Sequence, residues 1–426
     1  MNKSDSERMA GVLEKQGYKK TDKKYQADLV VVNTCGVRQM SEDRIYGLIP
    51  EIKRLNKKAK IVLTGCLVNR QDVRRRLKKY VDVWLPMNEI KNYELRITNE
   101  MPKNNVNYGS LDYLKIKPKY ESKFSAYVPI GNGCDNFCSY CVVPYARGRE
   151  VYRPANDIFS EVRDLVKKGY KEIVLIAQNV NSYKSGKTDF ADLLKFINNA
   201  KGDFWIRFLT SHPKDMSDKL IKMIVKCEKV CRHIHLPAQA GDDKVLAAMN
   251  RKYSIKHYIG LTKKIRQALP NAGLTTDIIV GFPGETKKQF NNSVKLMRRA
   301  KFDLAYIVRY SPRPGTAAFK LADNVTPAEK KRRESELMKI LRKTALGNNK
   351  KYLGKVVKVL VEGKNKRNEL FGSTETAKNV KISAKDFNQR LPRSLALPRN
   401  DSLVGQFVNV KIIKAQDFGL AGEIIN

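Results

Sequence analysis

The chain has 426 residues, 42% of them hydrophobic, and 83 Lys and Arg against 43 Asp and Glu give a formal net charge of +40. That length predicts two or three domains with sizeable cores. No apolar run is long enough to span a bilayer, and Met1–Glu14 is too polar for a signal peptide, so the reading is a soluble, cytoplasmic protein without a membrane segment. Seven cysteines, an odd number, argue for a reducing compartment and metal ligation, not disulfides. The charge is extreme for an enzyme of small anionic metabolites and points to a polyanionic partner, most simply nucleic acid; the plain alternative is a solvated basic surface.

The chain opens on Ser4-Asp5-Ser6-Glu7, a capping-box pattern, with Met9, Val12 and Leu13 at helical spacing and Gly17 to stop the helix. Ala27–Val32 reads as an apolar strand ending at Asn33-Thr34-Cys35. A helix is predicted over Ser41–Arg54, kinked at Pro50. A second strand, Lys60–Leu63, ends at Thr64-Gly65-Cys66, and a helix through Val73–Leu77 leads to a third strand, Val81–Leu85. The alternation predicts an open α/β domain with a parallel sheet over residues 1–104. Ligands of such sheets bind beyond the carboxyl ends of the strands, where Cys35 and Cys66 both stand. They either share one site or are two ordinary buried cysteines. A doubly wound sheet starts with a strand, yet here a helix comes first, so a strand is expected before Met1.

Asn92–Ser122 is polar and reads as a linker. Over residues 120–348 six strand–helix units follow, with strands at Ser125–Ile130, Glu172–Ala177, Trp205–Leu209, Val230–Leu236, Leu274–Val280 and Ala305–Val308. Helices such as Ile158–Lys168 and Tyr258–Ala268 lie between them. Six units predict a partial, TIM-like (β/α)6 barrel whose polar strand-end residues gather on one face. Gln178, Asn179, Ser211 and Gln239 are such residues. Thr326 and Pro327 read as N-cap and first position of a charged connecting helix to about Leu346. Residues 349–426 show short alternating strands (Val356–Val361, Phe407–Ile413, Gly419–Ile425), with Asn388–Asp401 as an insertion. This basic segment predicts a small all-β barrel of OB-like kind, a common RNA-binding architecture.

The first barrel strand leads into Gly131–Arg149, GNGCDNFCSYCVVPYARGR, with Cys134, Cys138 and Cys141 in C-x3-C-x2-C spacing. Three thiolates on one short loop can face a common point, and soft sulfur ligands select zinc, copper(I) or iron–sulfur clusters. Three ligands leave one metal position open, which a catalytic site needs. Gly131 and Gly133 let the backbone fold closely, and Pro144 ends the loop. Three reduced structural cysteines are the plain alternative.

A C-x3-C-x2-C loop after the first strand of a six-unit barrel resembles the radical S-adenosylmethionine (SAM) superfamily. The resemblance implies a 4Fe-4S cluster on Cys134, Cys138 and Cys141 whose open iron binds SAM, which is cleaved to a 5′-deoxyadenosyl radical. The whole chain resembles the radical SAM methylthiotransferases: an amino-terminal domain with cysteines, the radical SAM core and a carboxy-terminal TRAM barrel. MNKSDSE at Met1–Glu7, AQNVNSY at Ala177–Tyr183, TSHPKDMSD at Thr210–Asp218, HLPAQAGD at His235–Asp242 and YSPRPGTAA at Tyr310–Ala318 look like the group that methylthiolates carbon 2 of isopentenyl-adenosine at tRNA position 37. Competing groups act on threonylcarbamoyl-adenosine in tRNA or on an aspartate of a ribosomal protein. From another class, an RNA-binding iron–sulfur protein without thiolation activity remains.

The family pattern implies that Cys35 and Cys66 ligate an auxiliary 4Fe-4S cluster that supplies or carries sulfur. It expects a third amino-terminal cysteine in a Gly-Cys-Gln segment just before the MNKSDSE run, whereas this sequence begins at that Met. The expectation is a truncated or mis-started chain, or a third ligand from water or an outside thiol. Cys227 and Cys231 are expected in the barrel, Cys231 packed on a strand and Cys227 on a helix, neither substituting. Tyr140 can pack against the adenine of SAM or fill the barrel mouth, and Gly281, in Val280–Glu285, resembles the glycine strand end that borders adenine. Gln178, Asn179, Ser211 and Gln239 can hydrogen-bond SAM or the base; His212, His233 and His235 can be ligands but better suit core or loop roles; Arg147 and Arg149 can meet phosphate or the SAM carboxylate. Implied partners are the tRNA anticodon stem-loop and an electron donor such as flavodoxin or ferredoxin, with the protein a monomer.

Overall fold

The computed structural model describes residues 1–36, 39–89, 112–383 and 403–425. The expected insertion at 388–401 and most of the linker, up to residue 111, lie outside the described residues.

The amino-terminal unit contains α1 (Asn2–Lys15), β1 (Leu29–Thr34), α2 (Gln39–Leu55), β2 (Lys60–Gly65), α3 (Gln71–Leu77) and β3 (Val83–Leu85). The three strands form a parallel sheet in the order β1-β2-β3. Ile49, Ile52, Ile61, Leu63, Val73 and Leu77 close its core at helix and strand periods. Pro50 lies inside α2, which runs on through it.

The capping-box reading of Ser4–Glu7 is wrong. Met1 is the N-cap and makes no side-chain cap, and Ser4, Asp5 and Glu7 are buried inside α1. Their polar atoms are used across the helix: Ser4 Oγ accepts from Arg8 Nη1 at 2.6 Å, and Glu7 accepts from the Glu121 N–H at 3.2 Å.

The central unit is an open arc of six parallel strands. In chain order it runs β4 (Ser125–Pro129), the short hairpin β5 (Gly131–Asn132) and β6 (Val151–Tyr152) enclosing α4 (Val143–Arg147), α5 (Ala155–Lys167), β7 (Glu172–Ile176), the hairpin β8 (Lys184–Ser185) and β9 (Thr188–Asp189), and α6 (Phe190–Asn198). There follow β10 (Trp205–Phe208), α7 (Asp218–Lys226), β11 (His233–His235), α8 (Asp243–Ala248), α9 (Ile255–Ala268), β12 (Gly273–Val280), α10 (Lys287–Ala300) and β13 (Leu304–Arg309). Strands pair in the orders β10-β7-β4 and β11-β12-β13, and the Ile206–Val230 bridge joins the two halves. Among the described residues β13 does not pair with β4, so the barrel is partial, as expected. One continuous core fills the arc between strands and helices.

The predicted connector is α11 (Pro327–Lys350), capped by Thr326, whose side chain accepts from the Glu329 N–H. It does more than connect: Leu337 and Leu341 enter the barrel core, and buried Arg333 bonds Glu285 at 2.7 Å. Beyond it, β14 (Val356–Lys364), β15 (Leu370–Thr374), β16 (Asn379–Ser383), β17 (Phe407–Gln416) and β18 (Gly419–Ile425) close a barrel in the order β14-β15-β16-β18-β17.

This small barrel docks on the end of the arc where the parallel strands begin. Arg207 donates to Thr374 O at 2.7 Å and pairs with Glu172, Lys378 meets Asp303 at 2.6 Å, and the rings of Trp205 and Phe407 lie 4.7 Å apart. Gly273 is a close-approach position, since a Cβ there would lie 2.2 Å from Thr376 O. No helix among the described residues is long and apolar enough to cross a membrane.

Candidate metal and cofactor site

The cysteine loop leaves the carboxyl end of β4, at the opposite end of the arc from the small barrel. Gly133 takes φ +82, and a Cβ there would meet Arg149 O at 2.0 Å, so only glycine fits. The Cys134 N–H donates to Gly148 O at 3.2 Å and the Cys141 N–H to Cys138 O at 2.9 Å. The loop is tied down from outside as well: the Ser139 N–H donates to Met249 O at 3.0 Å and Asn250 Nδ2 to Phe137 O at 2.8 Å. Phe137, Thr210, Gln239 and Asn250, all at this end of the arc, have positive φ without being glycine. Backbone of this kind is costly and collects where a site over-determines it.

Two sulfurs already have donors. Asn136 Nδ2 lies 3.4 Å from Cys134 Sγ, and Arg251 Nη1 lies 3.5 Å from Cys138 Sγ. Burial pushes the Cys134 thiol up, and burial together with the charges of Cys138, Cys134 and Cys66 pushes Cys141 up to about 12. Among the described residues no three His, Cys, Asp or Glu side chains stand in a finished ligating arrangement. The donor chemistry nonetheless fits a thiophilic cation: three crowded thiols repel one another as thiolates, and a bound metal supplies the missing positive charge.

The strand-end residues beside the loop carry unsatisfied polar atoms. Gln178 Oε1, Asn179 Oδ1 and Ser211 Oγ are buried without a hydrogen-bond partner. Asn179 Nδ2 is spent on Asp215 at 2.8 Å. Orphans of this kind call for a ligand or water. Gln239 is buried with φ +68. Tyr140 is half-buried and packs against a small core that includes Ala240, Leu246, Met249 and Phe282. Gly281 is turned to other work: its N–H donates to Glu285 at 2.6 Å, and a Cβ would strike the Lys330 side chain.

Sequence reasoning missed Arg251. It is buried, donates to Pro237 O at 3.0 Å as well as to Cys138, and lies 5.1 Å from the Tyr253 ring. No motif marks it, because it reaches the loop from far along the chain. His212 is buried and accepts from the Lys214 N–H; burial, then Arg251 and Lys214, push it down to about 2, so it stays neutral. His233 and His235 both bond Thr275 Oγ1, at 3.0 and 2.9 Å, in wall roles.

The amino-terminal cysteines come to this same end. Cys35 and Cys66 follow β1 and β2, and the Cys66 N–H donates to Thr34 O at 3.1 Å. A Cβ on Gly36 would stand 3.2 Å from Cys66 Cβ and 3.2 Å from Val142, the neighbour of Cys141. Arg147 is not free for a phosphate: it is buried and paired with Asp5 of α1 at 2.6 Å. Arg149 is exposed and grips Asp135 with two bonds, at 2.7 and 3.1 Å. Cys227 and Cys231 are buried elsewhere, Cys231 beside Trp205 under the small barrel.

Three family models match the chain: the uncharacterized protein family UPF0004 over residues 1–86, the Radical SAM superfamily over 128–297 and the TRAM domain over 350–425. The chain is similar to the tRNA-2-methylthio-N(6)-dimethylallyladenosine synthases of Clostridium novyi (strain NT), 41% identical over 100% of this chain and 94% of that one, and of Alkaliphilus oremlandii (strain OhILAs), 40% identical over 100% and 90%. Among solved structures it is similar in fold to the radical S-adenosylmethionine methyltransferase TsrM from Kitasatospora setae, with a TM-score of 0.53 at 14% identity over 74% of this chain and 73% of that chain.

Proposed function

The chain belongs to the tRNA-2-methylthio-N(6)-dimethylallyladenosine synthase family of radical SAM methylthiotransferases, and from that premise we propose how its residues divide the work. The reaction places a methylthio group on carbon 2 of N6-isopentenyladenosine in tRNA. When bound, a 4Fe-4S cluster and SAM supply the radical and the methyl group this chemistry needs. Cys134, Cys138 and Cys141 hold that cluster, with Asn136 and Arg251 bonding two of the sulfurs. Arg251 sets positive charge beside Cys138 and so stabilises its thiolate. Gln178, Asn179, Ser211 and Gln239 orient SAM or the target base, Tyr140 walls the pocket, and Gly281 keeps the strand end tight.

Cys35 and Cys66 hold part of an auxiliary cluster that handles sulfur. The observation that carries this is the packing of Gly36 between Cys66 and Val142, which sets both amino-terminal cysteine loops against the radical SAM loop. The target is position 37, beside the anticodon; a flavodoxin- or ferredoxin-type donor supplies electrons, and the protein acts as a cytoplasmic monomer. The TRAM barrel adds a basic RNA-binding surface.

Two measurements test the reading. Mass spectrometry of tRNA nucleosides from a deletion strain should show loss of the methylthio-isopentenyl product; loss of a methylthio-threonylcarbamoyl product instead would sink it. Anaerobically purified protein should hold about eight irons per chain with both clusters; about four leaves the radical cluster alone, and zinc without iron refutes the radical chemistry.

A further inference from the structure

A base reached by the cysteine loop has to leave its stack, and the nucleotide beside it then loses a stacking partner. The loop carries groups suited to replace that partner. Tyr145, on α4, is 53% exposed, and Phe137, between Cys134 and Cys138, is 39% exposed. Their ring centroids are 6.2 Å apart with planes at 82°, so they touch edge to face and leave ring surface open. The Arg149 guanidinium sits 5.8 Å from the Phe137 centroid, held there by Asp135. The Ala318 N–H donates to Ser139 O at 2.7 Å, which brings the chain at Phe319, itself half-exposed, beside the loop. None of these three rings belongs to a core cluster among the described residues. The fold therefore gains nothing from their exposure, and Phe137 is held at φ +45, a strained backbone for a bulky residue.

We infer that Tyr145 and Phe137 form a stacking platform for the nucleobase next to the one being modified, with Arg149 as the cation beside it. The inference rests on the tRNA reading above and names the residues that position the RNA. An acidic electron-carrier protein is the competing occupant of this face. Open ring faces beside a guanidinium, at the rim of a pocket that must take a base, favour RNA, because base–aromatic stacking uses any base's π-face and is reinforced by arginine.

The test uses the full chain with its cluster reconstituted and an RNA stem-loop that carries N6-isopentenyladenosine flanked by 2-aminopurine. Wild type should bind and quench the 2-aminopurine fluorescence. Stacking is worth about 1–3 kcal/mol per base, so Tyr145→Leu should raise Kd by about 5- to 150-fold and leave the probe bright. Tyr145→Trp should restore both, which loss of a merely structural contact does not predict. Iron per chain shows that each variant has folded. A Tyr145→Leu protein with wild-type Kd and wild-type quenching overturns the inference; turnover lowered with reduced flavodoxin but not with dithionite then assigns the face to the electron carrier. Failure of the tRNA reading is seen separately, as wild-type protein that does not bind the stem-loop.

Discussion

Asp5→Ala is the perturbation that probes how the amino-terminal domain is held to the radical SAM loop. Asp5 is fully buried in α1 and pairs at 2.6 Å with Arg147, the last residue of α4, whose side chain is 6% exposed. At that distance and an effective dielectric of about 20 the gross attraction is roughly 6 kcal/mol. Most of it offsets the desolvation of two buried charges, so the pair adds little over an apolar pair of the same shape. Removing one partner is different, because it strands the other: Arg147 retains only Asn132 Oδ1 at 3.3 Å and Asn2 Oδ1 at 3.2 Å. Asp5→Ala should therefore cost about 3–5 kcal/mol, and the double variant Asp5→Leu with Arg147→Met should regain most of it. The two tryptophans allow the measurement, since Trp84 reports β3 of the amino-terminal sheet and Trp205 the base of β10. In urea, Asp5→Ala should bring the Trp84 transition to lower denaturant than that of Trp205. A single variant within 1 kcal/mol of wild type, or a double variant no more stable than the single, refutes the account.

Arg207→Met should free the small barrel, because it deletes the donor to Thr374 O and strands buried Glu172; limited proteolysis after α11 should then release residues near 350–425 as a fragment, and wild-type resistance would refute this. Arg251→Met should move the reduction potential of the bound cluster to more negative values in an EPR-monitored titration, since a cation and a hydrogen bond at the Cys138 sulfur favour the reduced, more negative state; an unchanged potential would remove Arg251 from the site. His233 is buried beside Arg207, His235 and Lys378, and burial first, then those charges, push it down to about 3. Its folded value lies below its unfolded one of about 6.5, so its share of stability is complete above that value and is lost as pH falls toward 3. Between pH 7 and pH 5 it should take about 2 kcal/mol from the unfolding free energy, and His233→Gln should remove that part of the slope.

The radical SAM loop was legible because its chemistry is local: three cysteines, three glycines and a proline within nineteen residues state both the donor set and the tight backbone. The β-strands of the arc were legible for a similar reason, as apolar runs such as Glu172–Ile176 are buried on both faces. What escaped was set by tertiary contact. Ser4–Glu7 has the spacing of a cap, but the side chains of Ser4, Asp5 and Glu7 face Arg8, Arg147 and the Glu121 N–H, so the helix begins earlier and buries them. Arg251 is assigned to the site only by the fold of the loop after α8. The strands β15 and β16, LFGST and NVKIS, are too short and too polar to read alone, and become strands because the barrel closes through them. Gly281 sits in a turn of the expected kind, but the side chain that leaves no room for a Cβ there, Lys330, lies on α11, far along the chain.

The placement of the two ends also constrains how RNA is held. The small barrel touches the arc at Trp205, Arg207, Gly273 and Asp303, where the parallel strands begin, whereas the cysteines lie where they end. The longest strand of the arc, β12, has eight residues, which is about 26 Å at a rise near 3.3 Å per residue. An RNA held by both ends must therefore span at least that length of protein, more than one flipped nucleotide can reach. On the proposed reading charge and base recognition are separated: the basic surface, part of a net +40, would supply affinity that falls with salt, and the polar strand ends with the aromatic rim would select the base. A short stem-loop that meets only the mouth should accordingly show a shallower dependence of log Kd on log salt than intact tRNA, while keeping the same preference for the isopentenylated base. Equal salt slopes for the two RNAs would mean that the small barrel does not touch tRNA while the base is in the mouth.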